Sequence, residues 1–119
     1  MSLTINVREV GNVLILDLNG RITLGEEAAA LRDTIREQLE SGKKNILLNL
    51  GEVTYIDSSG LGQLVGSFAT VTSRGGQLKM VNLQKRLHEL MQVTKLITVF
   101  DTFTAEAAAL RSFDMAASA

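Results

Sequence analysis

Residues 54–62 read TYIDSSGLG, and this stretch determines how the rest of the chain is interpreted. Residues 45–50 before it are almost continuously apolar, which is typical of a strand buried on both faces of a sheet. After it, Leu61, Leu64, Val65, Phe68 and Ala69 recur at the spacing of one helical face. Three small oxygen-bearing side chains and a glycine therefore stand where a buried strand gives way to a helix.

The three polar side chains at this junction could simply cap the helix. Asp57 and Ser58 are suited to that role because their oxygens can accept hydrogen bonds from the free N–H groups of the first turn. One cap needs only one such side chain, however. Ser59 would lie at the positive end of the helix dipole, at the carboxyl edge of the sheet, where α/β domains usually meet ligands and partners. Because Gly60 and Gly62 add little bulk, we expect another protein's backbone to come close here.

The composition limits the classes of function. A chain of 119 residues is long enough for one domain with a substantial core, and its 45% apolar and 21% charged residues are ordinary for a globular protein. A net charge of -1 gives no reason to expect direct nucleic-acid binding. The absence of cysteine excludes disulfides and thiolate chemistry. The first residues do not resemble a signal peptide and no apolar run could span a membrane, so we expect a cytoplasmic location without membrane insertion.

The remaining elements can be placed along the chain by periodicity and turn residues. Residues 4–9 and 13–18 predict two strands joined by a turn at Gly11-Asn12, the second ending at Asn19-Gly20. Helices are predicted over residues 25–41, 59–73 and 84–92, and strands over residues 45–50, 77–81 and 97–100. Asp101-Thr102 is predicted to cap a last helix, which carries Phe103, Ala107, Leu110 and Phe113.

This order, β-β-α-β-α-β-α-β-α, predicts the fold class. We expect a single small α/β domain with a mixed, mostly parallel sheet of about five strands and helices mainly on one face. The initial hairpin supplies an antiparallel edge strand. We assign residues 1–115 to the domain and expect residues 116–119 to fray.

Catalysis is poorly supported by the residues. A nucleophilic Ser59 would require a base, and the only histidine is His88, which falls between Leu87 and Leu90 on a helix that looks designed for packing. No cluster of ligand side chains indicates a metal, and neither a P-loop nor a dinucleotide fingerprint is present. We therefore expect a protein that is not an enzyme and uses no cofactor or metal.

Residues 53–62, VTYIDSSGLG, resemble the signature of the STAS domain family, in particular the bacterial anti-sigma factor antagonists (anti-anti-sigma factors). The resemblance extends over nearly the whole chain. LNGRI at residues 18–22 is similar to the family's end of the second strand, and GGQLK at residues 75–79 is similar to its entry to the next strand. The resemblance implies that the predicted domain is a STAS domain.

The resemblance also implies a mechanism and a set of partners. In that family the serine immediately before the glycine, here Ser59, is phosphorylated by an anti-sigma factor that is also a serine kinase. The unphosphorylated form binds the anti-sigma factor and frees the sigma factor, and a serine phosphatase restores that form. Arg21 and Thr23 stand where acidic residues are common in the family, near the expected partner surface. The residues that we expect to contact the partner are Asp57, Ser58, Gly60, Leu61, Gly62, Arg21 and Thr23.

Several alternatives remain open at this point. Ser58 is the rival phosphorylation site. The chain could also be a STAS adaptor subunit of a lipid-transport or signalling complex that does not act on a sigma factor. A hydrolase that uses Ser59 is a third possibility, and it lacks an identifiable base. The sequence indicates neither the sigma factor nor the oligomeric state.

Overall fold

Five strands and four α-helices alternate along the chain in the computed structural model, which describes the backbone of residues 3–118 and the side chains of residues 3–113. The elements are β1 (Leu3–Val10), β2 (Val13–Ile22), α1 (Glu26–Glu40), β3 (Asn45–Ile56), α2 (Ser58–Ser73), β4 (Gln77–Val81), α3 (Lys85–Val93), a 3-10 turn (Leu96–Thr98), β5 (Asp101–Phe103) and α4 (Glu106–Ser118).

The five strands form one sheet in the order β1-β2-β3-β4-β5. β1 pairs antiparallel with β2 and lies at one edge, while the pairs β2–β3, β3–β4 and β4–β5 are parallel. The predicted single α/β domain with a mixed, mostly parallel sheet is therefore confirmed. Because the parallel strands share one direction, the ends of β2 and β3 meet at the same edge, where α2 begins.

The sheet is covered on both faces, but unequally. Helices α1, α2 and α3 cover one face, and their buried residues pack in one cluster with side chains from β2, β3 and β4. Helix α4 covers the other face alone, with Ala109 and Phe113 against Val13, Ile15 and Leu47. The prediction of helices mainly on one face is confirmed. In α1, Leu31, Ile35 and Leu39 lie at four-residue intervals, as on one face of a helix, and all three are buried. Each such side chain contributes about 1.5 to 3 kcal/mol of burial free energy.

The two central strands run further than the sequence suggested. Asn19-Gly20 was expected to end the second strand, but β2 continues to Ile22 and β3 continues to Ile56. The β2–β3 register shifts around these residues, which marks an irregularity, but the pairing of the two strands continues beyond it. The consequence is that Ile22 and Ile56 are paired at the end of the ladder, directly before Asp57.

The predicted strand over residues 97–100 is wrong. Residues Leu96–Thr98 form a 3-10 turn, and the last strand is Asp101–Phe103. Phe100 is buried and meets Phe68 of α2 edge-on, with ring centres 5.4 Å apart, so this apolar run packs against a helix instead of pairing in the sheet. Asp101-Thr102 is consequently part of a strand and not a helix cap. Phe103 ends that strand and is not carried by the last helix, because α4 begins at Glu106.

The predicted frayed tail, residues 116–119, overlaps the end of α4. The helix extends to Ser118, and Ala119 lies outside the described residues. Fraying there, and a domain boundary at residue 115, stay predictions.

Candidate functional site

Asp57 organises the junction between β3 and α2. Its backbone is extended, with φ -98° and ψ -177°, and α2 begins at the next residue. Its Oδ1 accepts a hydrogen bond from the Gly60 N–H at 2.8 Å, and its Oδ2 accepts one from the Leu24 N–H at 3.1 Å. The predicted capping role of Asp57 is confirmed, and its second oxygen also ties the loop between β2 and α1 to the start of α2. Ser58 is the first helical residue and not the cap.

The two hydrogen bonds favour the ionised form of Asp57. The Gly60 N–H bond first, and then the Leu24 N–H bond, lower the pKa of the Asp57 carboxyl, because both favour its ionised form. A negative charge at this point also suits the positive end of the α2 dipole. Asp57 therefore caps the start of α2 without a hydrogen bond from either neighbouring hydroxyl.

Ser58 and Ser59 are both exposed in the first turn of α2. Within the described residues, neither side-chain hydroxyl takes part in a hydrogen bond. The hydroxyl of Ser59 is thus open to solvent and available to another molecule, which is the placement that a modification site requires.

Gly60 and Gly62 have different surroundings although they are two residues apart. A Cβ on Gly60 would lie 2.0 Å from the carbonyl oxygen of Ile22 and 2.9 Å from Ile56 Cγ1. Gly60 is buried, so the backbone that approaches it closely belongs to β2 of the same chain and not to a partner. A Cβ on Gly62 would have no atom within 4 Å, and Gly62 is exposed. A partner contact at either glycine stays a prediction, and of the two only Gly62 is exposed.

Leu61 is also largely buried. Its side chain is buried in the core cluster that α2 shares with the sheet, beside residues such as Leu64. Leu61 therefore helps to position the helix, and a partner contact at this residue stays a prediction.

Arg21 and Thr23 lie at the same edge of the sheet as Asp57. The two strand ends are joined there by a hydrogen bond from the Asp57 N–H to the Ile22 carbonyl, at 3.3 Å. Arg21 is exposed, and its guanidinium carbon lies 5.1 Å from the ring centre of Tyr55, its partner in the β2–β3 register. The Thr23 hydroxyl donates to Glu27 Oε1 at 3.0 Å.

Leu24 is a surface feature that the sequence did not single out. It follows Thr23 in the loop between β2 and α1, and 74% of its surface is exposed. The sequence of residues 22–24, Ile-Thr-Leu, gave no signal that Leu24 is exposed. Its backbone N–H donates to Asp57, which is a contact between residues 33 positions apart.

The outer surface of α2 carries no charge, because the sequence of Ser58–Ser73 contains no acidic or basic residue. The exposed positions that follow Ser59 include Gly62, Val65, Gly66 and Ala69. These side chains are small, with Val65 the largest, so another backbone can lie close to this side of the helix.

The described residues offer no catalytic arrangement around Ser59. His88 lines a cavity of about 410 Å³ with Asn82, Thr102 and Thr104, and Ser59 is not part of its lining. A second groove of about 220 Å³ lies between the end of β3 and α3, and it does not include Ser59 either. No group of three or more possible metal ligands occurs in the part of the chain that the structure describes. Within the same residues, none of the helices has the length and apolar character to cross a bilayer.

Comparison with known proteins places this geometry in a family. The STAS domain profile matches residues 4–109, which is most of the chain. The chain belongs to the STAS domain family. This STAS chain is 34% identical to the anti-sigma-B factor antagonist of Bacillus subtilis (strain 168) over 101 residues, which covers 85% of this chain and 91% of that protein. The resemblance carried by residues 53–62 is thereby confirmed.

Solved structures show the same STAS fold at lower sequence identity. A crystal structure of a Thermotoga maritima protein superposes with a TM-score of 0.86 at 23% identity, covering 92% of this chain and 94% of that one. The Bacillus cell fate determinant SpoIIAA in its phosphorylated form superposes with a TM-score of 0.72 at 18% identity, covering 92% of this chain and 98% of that one. At such identities the likeness establishes the fold alone.

Proposed function

We propose that this STAS protein is an anti-sigma factor antagonist controlled by phosphorylation of Ser59. Its unphosphorylated form binds an anti-sigma factor, which is also a serine kinase, and so releases the sigma factor in the cytoplasm. The 34% identity to the B. subtilis anti-sigma-B factor antagonist supports this function. The observation that carries the mechanism is the free, exposed hydroxyl of Ser59 in the first turn of α2. The kinase and a serine phosphatase supply the chemistry, and the chain itself catalyses nothing.

The fold should tolerate a phosphate at Ser59. Phosphorylation adds about -1.5 to -2 charges and three strong acceptor oxygens. At an exposed helix N-terminus a negative charge is favoured by roughly 0.3 to 1 kcal/mol. Repulsion from the Asp57 carboxylate opposes this gain, and both effects are screened by solvent. Because they offset each other, the modified domain should remain folded with little rearrangement.

A docked partner should respond much more strongly than the fold. A protein packed closely over Gly62 and the uncharged outer surface of α2 has no room for a phosphate and no means to hydrate it. The phosphate would be desolvated without compensating hydrogen bonds, which is costly for a dianion. A loss of about 3 to 4 kcal/mol of binding free energy weakens affinity several hundredfold, which is enough to release the complex.

The proposal is tested with the anti-sigma factor of the source organism that phosphorylates the parent chain in the presence of ATP. Ser59→Ala should bind it as tightly as the unphosphorylated parent and should resist inactivation by ATP. Ser59→Asp should bind it poorly, although its circular dichroism spectrum and urea midpoint match the parent. Tight binding by the folded Ser59→Asp variant would contradict the proposed mechanism.

Phosphopeptide mass spectrometry then separates Ser59 from its rival. After incubation with the kinase and ATP, the phosphate should be found on Ser59 in the parent and should persist in Ser58→Ala. It should be absent from Ser59→Ala. A phosphate on Ser58 would shift the proposed site by one residue. Copurification with a transport ATPase in place of a kinase would favour the adaptor role and overturn the antagonist function.

A further inference from the structure

We propose that Leu24 is the apolar side chain that anchors the anti-sigma factor, and that Asp57 holds it in place for binding. This inference rests on the proposed function and adds a contact residue outside the serine loop. With 74% of its surface exposed, Leu24 is one of the two most exposed large apolar side chains among residues 3–113, the other being Val93 at 81%.

The Leu24 loop is braced by hydrogen bonds that leave its side chain free. The Leu24 N–H donates to Asp57 Oδ2 at 3.1 Å. On either side, the carbonyl of Thr23 accepts from the Ala28 N–H at 3.1 Å, and the carbonyl of Gly25 accepts from the Ala29 N–H at 3.0 Å. Every one of these contacts involves backbone atoms of the loop. The loop is therefore fixed while the Leu24 side chain contributes little to the core.

Gly25 completes this arrangement. Its φ of 96° lies in a backbone region that residues with a side chain rarely adopt. The glycine therefore lets the chain turn sharply from Leu24 into α1. A loop whose backbone is held in one conformation before binding loses less conformational freedom when a partner covers it. Leu24 is thus prepared for contact in a way that an exposed leucine on a mobile loop is not.

Single exposed apolar residues are ordinary on protein surfaces, so exposure alone would not distinguish Leu24. The distinguishing observation is that one carboxylate performs two tasks. Asp57 caps the helix that presents Ser59 and also fixes the backbone of Leu24. Asp57 thus links the helical turn that presents Ser59 to the loop that presents Leu24, and we expect a partner docked over Ser59 to contact Leu24 as well. We expect that partner to offer an apolar pocket, since a leucine side chain makes no polar contacts.

The contact predicts a measurable loss of affinity. Removing a buried leucine side chain from an interface should weaken binding about 10- to 100-fold. The parent, Leu24→Ser and Val93→Ser are titrated with the anti-sigma factor kinase in the presence of ADP, so that Ser59 stays unphosphorylated. Leu24→Ser should show this loss, and Val93→Ser should match the parent. Because both side chains are mostly exposed, neither substitution should lower the urea midpoint.

The role of Asp57 as a positioning residue needs a separate measurement. Asp57→Asn retains one carbonyl oxygen for the Gly60 N–H, but its amide nitrogen cannot accept a hydrogen bond from Leu24. The variant should therefore keep its helix cap and lose part of its affinity. In a double-mutant cycle, Asp57→Asn should cost less affinity in the Leu24→Ser background than in the parent. Additive losses would show that Asp57 does not act through Leu24 and would overturn that part of the inference.

The outcomes separate this inference from the proposed function. If Leu24→Ser binds as tightly as the parent while Ser59→Asp binds poorly, Leu24 is not an anchor and the phosphorylation switch stands. If Leu24→Ser and Val93→Ser lose affinity equally, the effect is not specific to the site and the inference is overturned. A chain that no anti-sigma factor kinase phosphorylates would overturn both.

Discussion

The start of α2 and the layer beneath α4 use polar groups in opposite ways. Beneath α4, Arg8 donates from Nη2 to Asp17 at 2.9 Å and to Glu106 at 2.8 Å, so that one guanidinium joins β1, β2 and α4. At the start of α2, Asp57 accepts only from backbone N–H groups, and the hydroxyl of Ser59 is left free. Polar side chains that bind each other hold the fold together, whereas those left without a partner are available for recognition.

The pKa values of Asp17 and Asp57 are both lowered, but by different kinds of partner. Hydrogen bonding to Arg8 is the main cause that lowers the pKa of Asp17, and the bond to Asp17 is the main cause that raises the pKa of Arg8. The pKa of Asp57 is lowered mainly by the Gly60 N–H, a backbone group. A side-chain partner can be removed by mutation and a backbone partner cannot, which makes the two regions experimentally distinguishable.

The largest expected effect on stability comes from Gly60→Ala. This variant tests whether a glycine of the candidate site is also required for the packing of α2 against β2. The added methyl group would meet backbone atoms of Ile22 that cannot move aside, with 2.0 Å to the carbonyl oxygen. We expect a destabilisation of at least about 3 kcal/mol in urea unfolding. Gly62→Ala is the matched control, because it meets no atom within 4 Å, and it should stabilise α2 by about 0.5 to 1 kcal/mol. Similar stability of the two variants would contradict the division of roles between the two glycines.

The next effect comes from Arg8→Met, which breaks the network beneath α4. Both carboxylates lose their shared partner, and we expect unfolding to become easier by about 1 to 2 kcal/mol at pH 7. Arg32→Met is the control, since Arg32 makes an exposed pair with Asp33 on α1 and should change stability very little.

The effect of Arg8→Met on stability should also depend on pH. Because the folded-state pKa of Asp17 lies below the ordinary value of 3.8, its stabilising contribution is complete above that value and is lost as pH falls through the folded-state pKa. The difference between the parent and Arg8→Met in unfolding free energy should therefore be largest at neutral pH and should shrink below about pH 4. A difference that stays constant down to pH 2 would show that the pair with Asp17 contributes nothing.

The smallest effect is expected at Lys79, the charged side chain buried between β4 and α4. Only 6% of Lys79 is exposed, and its Nζ lies 2.9 Å from Ser112 Oγ and 4.9 Å from the ring centre of Phe113. In Lys79→Met, Ser112 keeps its hydrogen bond to the Ala109 carbonyl, and the methionine can fill the same space against Phe113. We expect a change within about 1 kcal/mol in urea unfolding. A loss above 3 kcal/mol would show that the ammonium group itself secures α4.

Sequence periodicity was sufficient to locate the first four strands and the helices over one face, although not the ends of β2 and β3. The stripe of Leu31, Ile35 and Leu39 and the apolar run at residues 45–50 each imply the burial that is observed. Periodicity failed at residues 97–100, because a short run of β-branched and aromatic residues can form either a strand or a packed turn. The contact of Phe100 with Phe68, 32 positions away, decided between them.

The candidate site was predictable in its chemistry and less so in its geometry. The residue types at positions 57–59 indicated a cap and an available hydroxyl, and both are found. The burial of Gly60 and Leu61 and the exposure of Leu24 depend on how α2 packs against the end of β2. That contact is long-range, and no local pattern encodes it.

The claim that a phosphate on Ser59 disrupts binding without disturbing the fold can be tested in one comparison. The parent is prepared in its unphosphorylated form and in the form phosphorylated on Ser59, and each is titrated calorimetrically with the anti-sigma factor kinase in the presence of ADP. The same two samples are unfolded in urea. We predict a several hundredfold weaker affinity for the phosphorylated form, with unfolding free energies that agree within about 1 kcal/mol. Equal affinities, or a weaker affinity accompanied by a large loss of stability, would contradict the account.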